Sequence, residues 1–104
     1  MNVTYMNGAG NSFMVLDARG REQEDFSALA KQLCALRHAD GLIAVGNSAK
    51  ADFKMIFYNA DGSLGEMCGN GARCICRFAH DHGIAGDSMV FEATAGLVKG
   101  SRVD

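Results

Sequence analysis

Polar and apolar positions alternate around Val3 and Tyr5, and Asn7-Gly8-Ala9-Gly10-Asn11 then breaks the pattern. A nearly continuous apolar run, Phe13-Met14-Val15-Leu16, follows. Residues 1–17 therefore predict a strand pair joined by a glycine loop, the second strand fit for burial. Residues 18–25 are polar and charged and predict a surface loop. Phe26, Leu29, Ala30, Leu33, Cys34 and Leu36 recur at three- and four-residue spacing, which predicts an amphipathic helix over 26–37 with Asp25 or Ser27 near its start. Cys34 falls on the apolar stripe and reads as core. Arg37 and His38 fall in the last turn, where positive charge suits the helix dipole, and His38 reads as a capping or surface residue.

After a turn at Asp40-Gly41, residues 42–45 form a short buried strand, 46–51 a polar loop and 53–58 another strand. Asp61-Gly62 turns the chain, and 63–67 is short and mixed. From Gly71 onward Ala72, Ile75, Cys76 and Ala79 share one helical face while Cys74 and Phe78 share another. A helix apolar around most of its circumference is one enclosed by a sheet or barrel, and Gly83 is placed to end it. Residues 89–94 predict a strand, Ala95-Gly96 a turn, and another strand starts at Leu97. The expected class is α+β, a mostly antiparallel sheet or barrel around a central helix, as a single domain over 1–104.

Composition narrows the functions. A chain of 104 residues suffices for one small domain burying roughly two-thirds of its unfolded surface. The formal net charge is −2, with no polybasic face to attract nucleic acid or an anionic membrane. No apolar run approaches the roughly 20 residues of a membrane span, and residues 1–5 carry neither a basic region nor an apolar signal core. The cysteines at 34, 68, 74 and 76 are too clustered for a secreted disulfide framework, so a reducing cytoplasm is expected. With 13 glycines and no proline, turns must rely on positive-φ glycine.

The chemistry concentrates in Asn59–Cys76, NADGSLGEMCGNGARCIC. Cys68 precedes Gly69-Asn70-Gly71 at a strand-to-helix junction. The unbonded N–H groups of a first helical turn favour an anion, either a thiolate or a substrate carboxylate. The bland alternative is a buried cysteine before a glycine-rich helix start. Asn11, in its glycine loop, is read either as part of a simple hairpin turn or as an amide facing a ligand. The Gly-x-Gly there lacks the Lys-Ser/Thr of a phosphate loop.

Cys68, Cys74, Cys76, His80 and His82 crowd residues 68–82 as possible zinc ligands. Cys74 and Cys76, two apart on a helix, face about 200° away from one another and cannot converge. Cys76 and His80 form an i,i+4 pair, but the spacing from Cys68 fits no common zinc pattern. No metal is expected.

The whole chain resembles the N-terminal half of the diaminopimelate epimerase family, cofactor-independent amino-acid epimerases. The resemblance rests on Gly8-Ala9-Gly10-Asn11 with Phe13, Asp40-Gly41-Leu42, Asn59-Ala60-Asp61-Gly62 and, most specifically, Met67-Cys68-Gly69-Asn70-Gly71-Ala72-Arg73-Cys74. It implies two similar halves, each wrapping sheet around a central helix and giving one cysteine to a cleft between them. Cys68 would be one of two acid/base thiols, and Asn11, Asn59, Gly69 and Asn70 would bind the amino-acid head group. The physical chemistry agrees. Epimerisation removes an α-proton from one face and returns one to the other, which calls for two opposed groups, and a soft thiolate at a helix start suits a dry cleft. First-turn N–H groups can stabilise charge developing beside the substrate carboxylate. No phosphate-binding lysine motif for pyridoxal phosphate is evident, and no cofactor is expected.

The chain departs from the family at Ser12, where Asp is usual, and between Arg37-His38 and Asp40-Gly41, where a Gly-Ile-Gly segment is missing. The second half, with the partner cysteine and the strand that closes the first half, is absent. The expected function is LL- to meso-diaminopimelate epimerisation, with this chain as a fragment inactive alone. The alternatives are a non-catalytic binding or structural module of the same fold, or a related racemase or isomerase of another small acid. The expected partners are a small amino-acid substrate and either a second copy or the missing C-terminal half.

Overall fold

The computed structural model describes residues 3–8, 10–21, 24–65, 69–94 and 96–101. Among these residues pairs of strands are separated by single helices: β1 (Val3–Gly8), β2 (Asn11–Asp17), α1 (Ser27–Arg37), β3 (Gly41–Gly46), β4 (Phe53–Asn59), α2 (Gly69–Asp81), β5 (Ser88–Ala93) and β6 (Gly96–Ser101). They form one sheet in strict sequence order, β1-β2-β3-β4-β5-β6. The β1–β2, β3–β4 and β5–β6 pairs are antiparallel, whereas β2–β3 and β4–β5 are parallel. The helices are the crossovers these parallel pairs require. The fold is the expected α+β class, antiparallel in its majority.

The two crossovers advance across the sheet in one direction, but the antiparallel β3–β4 step reverses the chain between them. Crossovers of one hand must then lie on opposite faces. The core divides accordingly. On one face Phe13, Val15, Ile43, Val45, Phe53, Met55 and Phe91 pack against Ile75, Phe78 and Ala79 of α2. On the other, Met14, Leu16, Leu42, Ala44 and Tyr58 pack against Phe26, Ala30 and Cys34. The continuous apolar runs of β2 and β3 have this origin, because successive side chains point to opposite faces and both faces are covered. Cys34 is buried, as its place on the stripe predicts.

α2 packs against β1, β2 and β3 and also against β6, so both ends of the strand order reach the same helix. The sheet thus curls around α2, but no pairing joins β1 to β6 among the described residues and it does not close. Close approach of β6 depends on Gly100, where a Cβ would stand 2.5 Å from Cys76 Sγ.

Local signals set the helix ends. Asp25 Oδ1 accepts the Ser27 N–H at 2.9 Å, so Asp25 marks the start of α1. The helix stops at His38, left-handed at φ 54°, and the Ala39 N–H closes the last turn onto the Cys34 carbonyl at 3.0 Å. α2 begins two residues earlier than periodicity indicates, since Gly69 and Asn70 carry no apolar signal. Its C-terminal exit uses Gly83 at φ 70°, with the Gly83 N–H bonded to the His80 carbonyl.

Candidate active site

Three stretches meet at one end of the sheet. Gly8 pairs with Asn11 across the β1–β2 hairpin, Phe13 of β2 lies opposite Gly41 of β3, and Gly41 lies opposite Asn59, the last residue of β4. The chain then doubles back. The Gly62 N–H bonds to the Asn59 carbonyl at 2.9 Å, the Asn59 N–H to the Ser63 carbonyl at 2.7 Å, and the Gly65 N–H to the Phe57 carbonyl at 2.8 Å. Gly69, the first residue of α2, follows four residues after Gly65, within about 14 Å of chain reach. The far end of α2 lies toward the opposite end of β2, since His82, one residue past the helix, is near enough to Asp17 to bias its carboxyl. The N-terminal turn of α2 therefore lies at the Asn11–Asn59 end, its first N–H groups unbonded within the helix.

Glycine backbones shape this end. A Cβ at Gly41 would lie 2.5 Å from Phe57 Cε1 and 2.8 Å from the Tyr58 carbonyl oxygen. A Cβ at Gly65 would lie 2.8 Å from Phe57 Cδ2 and 2.8 Å from Asn59 Oδ1. The Phe57 ring is thus gripped between two bare backbones, and it meets Phe13 edge-to-face at 6.0 Å.

Each asparagine is held by a neighbour. Asp40 Oδ2 accepts the Ser12 N–H at 2.8 Å and the Asn11 Nδ2–H at 3.3 Å, while the Asp40 N–H donates to the Ser12 carbonyl at 2.7 Å. Asn59 Nδ2 donates to Ser63 Oγ at 3.0 Å, and Ser63 Oγ and N donate to Asp61 Oδ1 at 2.6 and 2.9 Å. The Ser63 donors hold the Asp61 carboxyl below its ordinary pKa. The turn is also docked on α1, because Ser27 Oγ donates to the Gly62 carbonyl at 2.6 Å.

A family model described as Diaminopimelate epimerase matches residues 3–103. The chain belongs to the diaminopimelate epimerase family. It is 41% identical over 112 residues to the diaminopimelate epimerase of Aquifex aeolicus, covering 95% of this chain and 40% of that protein. It is 46% identical over 103 residues to that of Caldanaerobacter subterraneus, covering 94% of this chain and 36% of that protein. The chain thus spans well under half the length of these relatives. Among solved structures, a phenazine biosynthesis protein of the PhzF family from Bacillus anthracis superposes with a TM-score of 0.76 at 20% identity, covering 95% of this chain and 34% of that one. That likeness concerns the fold alone.

In this family member, Asn11 and Asn59 lie at the same end of the sheet, and Gly69 and Asn70 are the first two residues of α2. Cys68, which precedes them, lies outside the described residues. The residues that sequence reasoning missed as supports are Asp40, Asp61 and Ser63. Asp61-x-Ser63 carries a turn signal that foreshadows its bonds. The Asp40–Ser12 contact spans 28 positions and has no local signal.

Two of the zinc candidates, Cys76 and His80, turn to different neighbours. Cys76 Sγ abuts Gly100, whereas His80 Nε2 turns to Asp87 Oδ1 at 2.8 Å, so the i,i+4 pair serves two different partners. No metal-ligating cluster occurs among the described residues. No helix among them is long and apolar enough to cross a membrane. A groove of about 410 Å³ runs between β1 and α2, lined by Tyr5, Asn7, Arg73 and Arg77 among others, and neither Asn11 nor Asn59 lines it.

Proposed function

We propose that this chain is the N-terminal half of a cytoplasmic, cofactor-independent epimerase that interconverts LL- and meso-diaminopimelate, a precursor for lysine and peptidoglycan. The observation that carries the reading is the convergence of Asn11, Asn59 and the first turn of α2 at one end of the sheet in a chain matched to the family along nearly its whole length. In this reading Cys68 is one of two acid/base thiols. It takes or returns the α-proton on one face of the substrate, and a thiol from the second half serves the other face. Gly69 and Asn70 offer first-turn N–H groups to the substrate carboxylate, whose neighbouring carbanionic charge they stabilise. Asn11 and Asn59 supply amide donors and acceptors to the head group. Burial and electrostatics then do the work that a pyridine cofactor does elsewhere.

The open flank fits the same reading. β1 and β6 each end the described sheet with one side unpaired. A strand from the missing half would close it, and without that strand an edge templates pairing with another chain. The residues beyond Ser101 lie outside the described set.

The test is exchange of the substrate α-hydrogen for solvent deuterium. The 104-residue chain alone should give none, and mixing it with a separately expressed second half should give exchange that Cys68→Ala abolishes. Exchange by the mixture that survives Cys68→Ala would refute the assignment. Exchange by the chain alone, lost in Cys68→Ala, would mean that two copies bring two Cys68 thiols together.

A further inference from the structure

The turn after β4 holds more order than a surface connection needs. Asn59 and Ser63 are joined twice, by the 2.7 Å backbone bond from the Asn59 N–H and by the 3.0 Å bond from Asn59 Nδ2 to Ser63 Oγ. Ser63 in turn faces Asp61 Oδ1 through both Oγ, at 2.6 Å, and N, at 2.9 Å.

The direction of these bonds follows from chemistry. A carboxylate only accepts, so the single Ser63 hydroxyl proton goes to Asp61. The Ser63 oxygen is then left with lone pairs toward Asn59, which must present its NH2 rather than its carbonyl. This decides an amide orientation that heavy-atom positions alone leave ambiguous. The other branch of the amide is bounded as well, since Asn59 Oδ1 lies 2.8 Å from where a Cβ at Gly65 would be. Below, Gly62 at φ 90° is buried against α1, and a Cβ there would meet the Ser27 carbonyl oxygen at 2.8 Å. The relay thus stands on a fixed base.

We propose that Ser63, oriented by Asp61, is a positioning residue that fixes the amide of Asn59, so that its carbonyl oxygen and remaining N–H meet the amino-acid head group in one defined arrangement. The inference rests on the ligand-binding role proposed for Asn59 and extends it to two residues with no role of their own in that reading. Binding to a pre-oriented amide avoids the cost of ordering it. Asp61, whose carboxyl its two Ser63 donors hold below its ordinary pKa, is a charged acceptor at neutral pH and maintains the orientation there.

Nuclear magnetic resonance of the ¹⁵N-labelled chain tests this on the side chain itself. The Asn59 Nδ2 resonances should shift in step with ionisation of Asp61, below the ordinary carboxylate range. Ser63→Ala should abolish that coupling and leave the amide conformationally averaged, whereas Ser63→Thr, which keeps the hydroxyl, should retain it. Backbone resonances outside the turn report that each variant is folded. With meso-diaminopimelate as probe, Ser63→Ala should weaken binding about fivefold and Ser63→Thr should restore it. Asn59 resonances indifferent to Ser63→Ala would overturn the positioning role. Absence of binding by the unmodified chain would instead remove the ligand half of the inference and count against the binding role of Asn59, while the resonances still decide what Ser63 does.

Discussion

Asp40 Oδ2 lies 2.8 Å from the backbone nitrogen of Ser12, and the Asp40 N–H returns a 2.7 Å bond to the Ser12 carbonyl. Ser12 and the residue that follows the Arg37–Ala39 segment therefore touch one another. With no acidic side chain at 12, the carboxylate at this junction comes from Asp40, which also accepts from Asn11 at 3.3 Å.

Asp40→Ala removes the acceptor for both donors. It should destabilise the chain by about 1 kcal/mol and remove one partner of the Asn11 amide. Asp40→Asn, which retains a carbonyl acceptor, should cost less. Urea unfolding of the three proteins checks the order, and equal midpoints would show that the junction does not depend on this side chain.

Gly41→Ala should be among the most disruptive single-methyl additions, lowering stability by about 2 kcal/mol, because the new Cβ meets a backbone oxygen as well as the Phe57 ring. Gly100→Ala meets the Cys76 sulfur instead. Its cost should fall when combined with Cys76→Ala, giving a favourable coupling in a double-mutant cycle of thermal unfolding. Strict additivity would mean that β6 does not press on α2 at this point.

Burial pushes the Cys34 and Cys76 thiols above their ordinary pKa, with the charge of Asp40 adding to the effect at Cys34. Mass-mapped alkylation under native conditions at neutral pH should label both slowly and Cys68 fastest, and labelling of Cys76 as fast as Cys68 would contradict the acid/base reading. The sign for stability follows from the neutral thiol being favoured in the fold. This contribution is fully present below the ordinary value of 9.0 and is lost as pH rises through the elevated folded-state values. Cys34→Ala should therefore flatten the alkaline limb of a stability profile while lowering its plateau.

Asp17 behaves in the opposite sense. Arg19 Nε and Nη2 donate to its two oxygens at 2.9 and 2.8 Å, and these bonds hold the carboxyl below its ordinary 3.8. The stabilisation is present above 3.8 and disappears as pH falls through the lowered folded-state value. The pair is partly exposed, so Asp17→Asn should cost less than about 1 kcal/mol at neutral pH, and that cost should shrink as pH falls through the lowered folded-state value. Acid titration followed by circular dichroism reads both.

Much of this protein is written locally. Strand periodicity at Val3–Leu16, the apolar stripe through Ala30 and Cys34, and the all-round apolar pattern of residues 72–79 depend on neighbours a few positions away, and the elements lie where those patterns put them. Fold class follows, because a helix apolar on most sides must be enclosed. The family also follows from a short motif, Met67–Cys74, whose Cys68-Gly69-Asn70-Gly71 run lies within four consecutive positions. What the sequence alone could not determine is which distant groups meet. Nothing near Ser12 announces Asp40, nothing near Gly100 announces Cys76, and nothing near Phe57 announces that Gly41 and Gly65 will close on it. The reversal at β3–β4, which sends α1 and α2 to opposite faces, is also a pairing choice and leaves no periodic trace. Periodicity reports burial against an unspecified surface. Only the folded sheet specifies which surface, and the orientation of Asn11 and Asn59 is settled there, by carboxylates placed through strand register and turn geometry.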